Sequence, residues 1–321
     1  RVLQFDVLTA EYNNIKVDKT DKYLLKSKTS LILKYKGSDS PINPEQFQYS
    51  REDESKVLIK VKLPKNTPME DKIYIVGMGP GKEEMMTAEA THALKQSDVI
   101  IGYNVYIKLL GEDFCGKELL STPMRQEKER CVLCFEEAGK GKQVSLICSG
   151  DAGIYGMASL MYEIGKDYPD IELVVIPGIT AASSGAAVLG APLNHDFCVI
   201  SLSDLLTPWE KIEKRLAAAA EGDFAIAIYN PSSHKRKDYL MRACDILLRT
   251  YEGERACGYV ENIGREYTKA VTCTLKELRE TQVNMFTTVF IGNSGSEIMN
   301  GKLITKRGYQ IERDTDICGN N

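Results

Sequence analysis

The 321-residue sequence has no run approaching the roughly 20 apolar residues that a membrane-spanning helix needs, which argues against a membrane partner. It has no secretory signal either, because Arg1–Asp6 offers neither a charged leader nor an apolar core behind one. An initiating methionine is missing, so the chain is expected to be processed or cut from a longer polypeptide. Histidine is scarce, at positions 92, 195 and 234, and the single CxxC pair is Cys131-Val-Leu-Cys134. These residues do not make a zinc site, and no protein-bound metal is expected. A disulfide framework is not apparent. The nine cysteines (115, 131, 134, 148, 198, 244, 257, 273 and 318) are odd in number and lie mostly in apolar runs such as Val144–Cys148. That points to buried free thiols in a reducing compartment, taken as the cytoplasm.

A surplus of positive charge is absent too. The formal net charge is −4, and it divides unevenly: residues 1–68 carry 13 Lys/Arg against 9 Asp/Glu, the remainder 28 against 36. An acidic main body argues against nucleic acid as the substrate, since phosphate neutralisation needs a basic surface. A small polyanion held by a few local arginines and lysines stays open. With 43% hydrophobic and 27% charged residues the composition is that of a folded protein, long enough for one large or two ordinary domains.

What is present falls into two regimes, divided near Pro64-Lys-Asn-Thr-Pro68. Before it stand two strand-like runs, Ser30–Tyr35 and Val57–Leu63, the second alternating as a half-exposed strand would. Residues 1–68 therefore read as an extension with no assigned fold, serving as the end of an upstream fused module or as a docking arm. From Asp71 onward, apolar runs alternate with helical patterns. The runs are Ile73–Val76, Val99–Ile101, Val144–Cys148, Leu173–Ile176, Cys198–Leu202, Ala225–Tyr229, Gly258–Val260 and Thr288–Ile291. Runs apolar throughout suit strands covered on both faces, and interleaved helices indicate an α/β sheet with crossover connections. Thr87 is expected to cap the helix over Ala88–Ser97, and Thr207-Pro208-Trp209-Glu210 to form a capping box for the next stripe, Trp209, Ile212, Leu216 and Ala219.

Several of these strands run into unusual loops, and ligands in open α/β sheets bind beyond such carboxyl ends. Val76-Gly77-Met78-Gly79-Pro80-Gly81 is a defective dinucleotide fingerprint: position 82 is Lys, and the next strand ends Ile101-Gly102-Tyr103 without an acidic residue. Alone it serves equally as a tight turn. Ser149-Gly-Asp-Ala-Gly-Ile-Tyr-Gly156 lets backbone approach a ligand, with Asp151 either a ligand contact or a cap. Pro177-Gly-Ile-Thr-Ala-Ala182 opens a small-residue helix that can pack closely on a sheet or a ligand. Tyr229-Asn-Pro231 forces a turn ahead of the basic cluster Lys235-Arg236-Lys237.

Taken together in order and spacing, these four loops with Glu261-Asn-Ile-Gly264 resemble the tetrapyrrole methylases over roughly residues 71–305. Within that family, Leu193-Asn-His-Asp-Phe197, Ile200–Glu210 and Asn230–Arg236 resemble the branch acting at C17 of precorrin-3B or cobalt-factor III type rings. The resemblance implies two α/β domains with the active site in the cleft between them, usually in a homodimer. We place these domains at residues 69–190 and 191–305, with a tail over 306–321. It implies S-adenosylmethionine as cofactor, S-adenosylhomocysteine as product, and a tetrapyrrole as the partner methylated, with ring contraction. By position it gives cofactor contacts to Pro80, Ser149, Gly150, Asp151, Ile154, Thr180, Ala181, Asn230 and Gly264, the last in a loop one residue longer than the family pattern.

Methyl transfer from a sulfonium asks the protein mainly for proximity, orientation and exclusion of water. Gly79, Gly81, Arg125 and Arg236 are the expected substrate contacts, the arginines for acid side chains. Ring contraction calls for proton movement near neutral pH, and His195, oriented by Asp196, is the expected catalytic pair; a junction residue held by local hydrogen bonds is the other role open to it. Three other functions stay open: another acceptor within the same family, a nicotinamide-dependent oxidoreductase, and a non-catalytic scaffold.

Overall fold

Aliphatic runs flanked by glycine and polar residues become buried strands wherever helices can cover both faces. The chain, seen in a computed structural model, shows this twice. The structure describes residues 72–309 apart from Cys115 and His234, and before them the strand backbone of 10–12, 15–17, 47–53 and 56–61. Two units divide it, Arg1–Met69 and Glu70–Asn321. In the first, β1 (Ala10–Tyr12) pairs antiparallel with β2 (Ile15–Val17), and β3 (Phe47–Asp53) with β4 (Lys56–Val61). The strand expected at Val57–Leu63 is β4. The one expected at Ser30–Tyr35 lies outside the described residues.

The second unit opens with an all-parallel sheet. Its elements are β5 (Lys72–Gly77), α1 (Ala88–Gln96), β6 (Val99–Tyr103), α2 (Asn104–Ile107), β7 (Glu118–Thr122), α3 (Glu127–Ala138), β8 (Val144–Cys148), α4 (Ala158–Gly165) and β9 (Glu172–Ile176). The strand order is β7-β6-β8-β5-β9, and all five residues of β8 are buried at its centre. One face packs Ile73, Ile75 and Leu146 under α3 and α4. The other packs Val76, Ile100 and Ile147 under α1. Thr87 caps α1 as expected, its hydroxyl accepting from the Ala90 amide at 3.1 Å. Cys131 and Cys134 are fully buried in this core. Burial pushes Cys131 up to about 12 and Cys148 to about 11, so at neutral pH they are protonated apolar filler.

After β9 the chain enters α5 (Ala181–Leu189), β10 (Gly190–Ala191), β11 (Phe197–Ser201), α6 (Trp209–Glu221), β12 (Ala225–Tyr229), α7 (Tyr239–Leu247), β13 (Ala256–Glu261), β14 (Lys269–Thr274), α8 (Leu275–Arg279) and β15 (Thr287–Ile291). The sheet order is β11-β12-β15-β13-β14, parallel only between β11 and β12. A small sheet of β10 with β16 (Ser296–Met299) and β17 (Lys302–Thr305) closes the unit. Helices α6, α7 and α8 cover one face of the five-stranded sheet. Ala182, Ala186 and Leu189 of α5 cover the other, against Val260 and Phe290. By packing, α5 lies with the second sheet. The box expected at Thr207 does not form: Pro208 is extended (ψ 143°) and α6 starts only at Trp209. A capping box stands instead at Thr274 and Glu277, opening α8.

Candidate functional site at the carboxyl ends of the strands

Three glycine loops leave neighbouring strands of the first sheet and meet backbone to backbone. A Cβ on Gly77 would lie 2.6 Å from the Gly178 amide nitrogen, and one on Gly178 would lie 2.5 Å from the Gly77 carbonyl oxygen. No residue larger than glycine fits either place without moving a chain. Gly79 and Gly150 exchange both backbone hydrogen bonds, at 3.1 and 2.7 Å, each with positive φ (73° and 69°). Asp151 ties the loops together. One carboxylate oxygen accepts from the Gly153 and Ile154 amides (2.8 and 3.2 Å), the other from Gly178 (2.9 Å). Asp151 thus clamps the loops without capping α4, and it lines a cavity.

That cavity spans the two halves of the second unit and encloses about 810 Å³, part of it open to solvent. Eight of the nine expected cofactor contacts line it: Pro80, Ser149, Gly150, Asp151, Ile154, Thr180, Ala181 and Asn230. The ninth, Gly264 (φ 67°), is not in the lining and packs behind it, where a Cβ would meet Pro80 Cγ at 3.1 Å. Gly79 and Gly81 also stand behind Pro80, Gly81 against the Gly264 carbonyl.

The second half supplies side chains. Tyr229 at the end of β12 reaches α5, its hydroxyl 2.5 Å from Thr180 Oγ1 and accepting from the Ala182 amide at 2.6 Å. Burial raises this phenol above its usual range and keeps it protonated. Asn230 takes a left-handed backbone (φ 52°) and donates to Ser201 Oγ at 2.9 Å. Tyr155 crosses from the first half to β11, donating to the Val199 carbonyl at 3.0 Å and accepting from the Ser201 amide at 3.2 Å. Asn262 and Ile263 of the fifth family-like loop, with Tyr106, Arg265 and the segment Met285–Thr288, complete the lining. Sequence reasoning missed the last three. Tyr106 and Met285–Thr288 belong to no glycine loop, and Arg265, just after Gly264, is one cation among many in the sequence.

Other expected residues are not brought to the cavity. Arg125 is exposed after β7, its backbone amide donating to Glu127. Arg236 is committed elsewhere, to Ser233 (3.0 Å), Ser203 (2.8 Å) and the Asp204 carboxylate (3.2 Å), which the Tyr239 hydroxyl and Arg236 hold below the usual carboxylate range. His195 and Asp196 stand at the amino end of β11, whereas the cavity opens at its carboxyl end, about 16 Å away at ~3.3 Å per residue. The His195 ring instead contacts the Lys306 carbonyl at 2.9 Å, and the Asp196 carbonyl accepts from Ala225. His234 lies outside the described residues. Among the described residues there is no cluster of potential metal ligands, and no helix long and apolar enough to cross a membrane.

Known proteins place this arrangement. The family model of the tetrapyrrole (corrin/porphyrin) methylases matches residues 72–279. A probable cobalt-factor III C(17)-methyltransferase of Salmonella typhimurium is 44% identical over 240 residues, 74% of this chain and all of that protein. The cobalt-factor III methyltransferase of Priestia megaterium is 43% identical over 75% of this chain, which spans 46% of its length. The precorrin-3B C(17)-methyltransferase of a Sinorhizobium species is 35% identical, covering 71% of this chain and 91% of that one. Among solved structures, the methyltransferase CobJ superposes with a TM-score of 0.68 at 35% identity, over 73% of this chain and 99% of CobJ. A uroporphyrin-III C-methyl transferase from Thermus thermophilus, complexed with S-adenosyl homocysteine, shares the fold at a TM-score of 0.57 and 20% identity, over 69% and 97% of the chains.

Proposed function

We propose, from the premise that the chain belongs to the tetrapyrrole (corrin/porphyrin) methylases, that it transfers a methyl group from S-adenosylmethionine to C17 of a precorrin-3B or cobalt-factor III type ring, with ring contraction. The observation that carries this reading is the convergence of four family-like loops on one cavity that holds eight of the nine expected cofactor contacts. The residues fit the cofactor. Glycine loops let backbone approach it, Asp151 Oδ2 accepts a single hydrogen bond and keeps acceptor capacity, and Asn230 stands across the cleft. A sulfonium methyl is an already activated electrophile, so the bonding pair stays on sulfur as the methyl leaves.

The chain's own part is positional. Tyr155 ties the first half to β11, and Tyr229 holds Thr180 and the start of α5 against β12, so the walls of the cleft keep their spacing. The backbone around Gly150 and the tied Asp151 carboxylate give a polar floor suited to a cationic ligand. His195 stands too far from that floor to move a proton there, and we give it a junction role with β17. A homodimer is the proposed assembly, supported by Leu205 and Leu206, 64% and 98% exposed beside Trp209, which a second copy would cover. Membership of the family removes the nicotinamide and scaffold alternatives. Incubating the purified protein with S-adenosylmethionine and either the cobalt or the metal-free substrate tests the reading. A product heavier by one methyl group, with the spectrum of a contracted ring, is expected from at least one. Methylation of neither, by a protein that still binds S-adenosylhomocysteine, would reassign the acceptor.

A further inference from the structure

We infer that Arg265, in the turn between β13 and β14, anchors a carboxylate of the ligand bound in the cleft. The inference rests on the methyl-transfer reading of that cleft.

Arg265 is the only cation among the described residues lining the cavity. Its guanidinium is sheltered, with its carbon 4.9 Å from the centroid of the Phe286 ring, and its stem lies against Gly81, where a Cβ would meet Arg265 Cγ at 3.0 Å. Comparable arginines in this protein are satisfied. Arg236, Arg255 and Arg279 each hold a carboxylate, and the buried Arg130 holds the Thr122 hydroxyl and the carbonyls of Thr122 and Pro123. For Arg265 the described residues provide neither an acidic partner nor a side-chain hydrogen bond; the titratable group that bears on it is the Tyr106 phenol. Burial holds it below the usual arginine value, which is the mark of a charge short of solvation. A sheltered, stacked guanidinium with its donors unspent is preorganised for bidentate recognition of a planar anion. Phe286 limits its rotation, so little side-chain freedom is lost when an anion arrives.

Two carboxylates could come from the proposed reaction: an acid side chain of the tetrapyrrole, or the amino-acid end of the cofactor. Their chemistry toward Arg265 is the same. Arg265 lies against Phe286 and follows directly on Gly264, an expected cofactor contact, so a variant that separates the two sources is needed.

Arg265→Met, which keeps the stem against Phe286 and removes the charge, decides the matter. Thermal melting first shows that the variant is folded; Arg265→Gln replaces it if not. Loss of a charge-assisted bond should raise the KM for cobalt-factor III by about ten- to a hundred-fold, leave the S-adenosylhomocysteine dissociation constant within about two-fold, and be partly restored in Arg265→Lys. A matching loss of S-adenosylhomocysteine affinity, with KM for the acceptor unchanged, assigns the same anchor to the cofactor carboxylate. If a folded variant keeps both constants, Arg265 anchors nothing and the inference is overturned. Wild-type protein that neither binds S-adenosylhomocysteine nor turns over defeats the functional reading itself, and the anchor with it.

Discussion

The two halves of the methylase unit build their walls of the cleft from opposite materials. The first gives backbone: Gly77, Gly150 and Gly178 bring three loops into contact, and most of its expected ligand contacts lie in or beside them. The second gives side chains: Tyr229, Asn230, Arg265 and Phe286. A parallel sheet aims all its carboxyl ends to one side, where loops crowd and only glycine fits. The mixed second sheet sends alternate strands away from the cleft, so fewer loops converge and side chains span the gap. Backbone contacts are intolerant of added atoms, whereas side chains such as Asp151, Tyr229 and Arg265 are sensitive to lost ones.

The largest effect should come from Gly178→Ala. The new methyl group meets fixed backbone on two loops, so we expect a melting temperature lower by several degrees and S-adenosylhomocysteine affinity reduced at least a hundred-fold in calorimetry. Gly116→Ala, with nothing near its would-be Cβ, should leave both unchanged. Equal behaviour of the two variants would show that the first wall does not depend on close backbone contact. A smaller loss is expected for Asp151→Ala, which strands three amides. At about 1.5–3 kcal/mol for hydrogen bonds to a charged group, affinity should fall by one to two decades while the protein stays folded. Collapse of the fold with normal affinity per folded molecule would make Asp151 a structural clamp alone. On the other wall, Tyr229→Phe removes one hydroxyl shared by Thr180 and Ala182. A net loss of about 1 kcal/mol predicts a dissociation constant about five-fold higher, and a change beyond a hundred-fold would mean that this wall is as rigid as the first.

The same contrast explains what was legible in the sequence. Every expected strand from Ile73 to Ile291 is present, the edge strands β9 and β11 included, because each carries an apolar run. Strands β7 and β14 were not read: they are sheet edges, half exposed, and Glu118–Thr122 and Lys269–Thr274 mix polar and apolar residues. Glycine loops announce themselves by composition, and the first wall was found almost whole. Arg265 and Phe286 become neighbours only when β13 and β15 pair, as Glu261 opposite Thr287 shows. Arg125 and Arg236 are cations that follow strands β7 and β12 in the sequence. Sequence cannot show that Arg236 is already spent on Asp204, whereas the place of His195 ahead of its strand, at the end away from the cleft, is legible from the run Cys198–Leu202.

The central claim is that this cleft holds an S-adenosyl cofactor. Isothermal titration of the intact chain with S-adenosylhomocysteine, and separately with NAD, tests it most directly. The account predicts one S-adenosylhomocysteine site per chain and no heat of binding from NAD, in keeping with the absent third glycine at Lys82 and the absent acidic residue after β6. Binding of NAD without S-adenosylhomocysteine would contradict it.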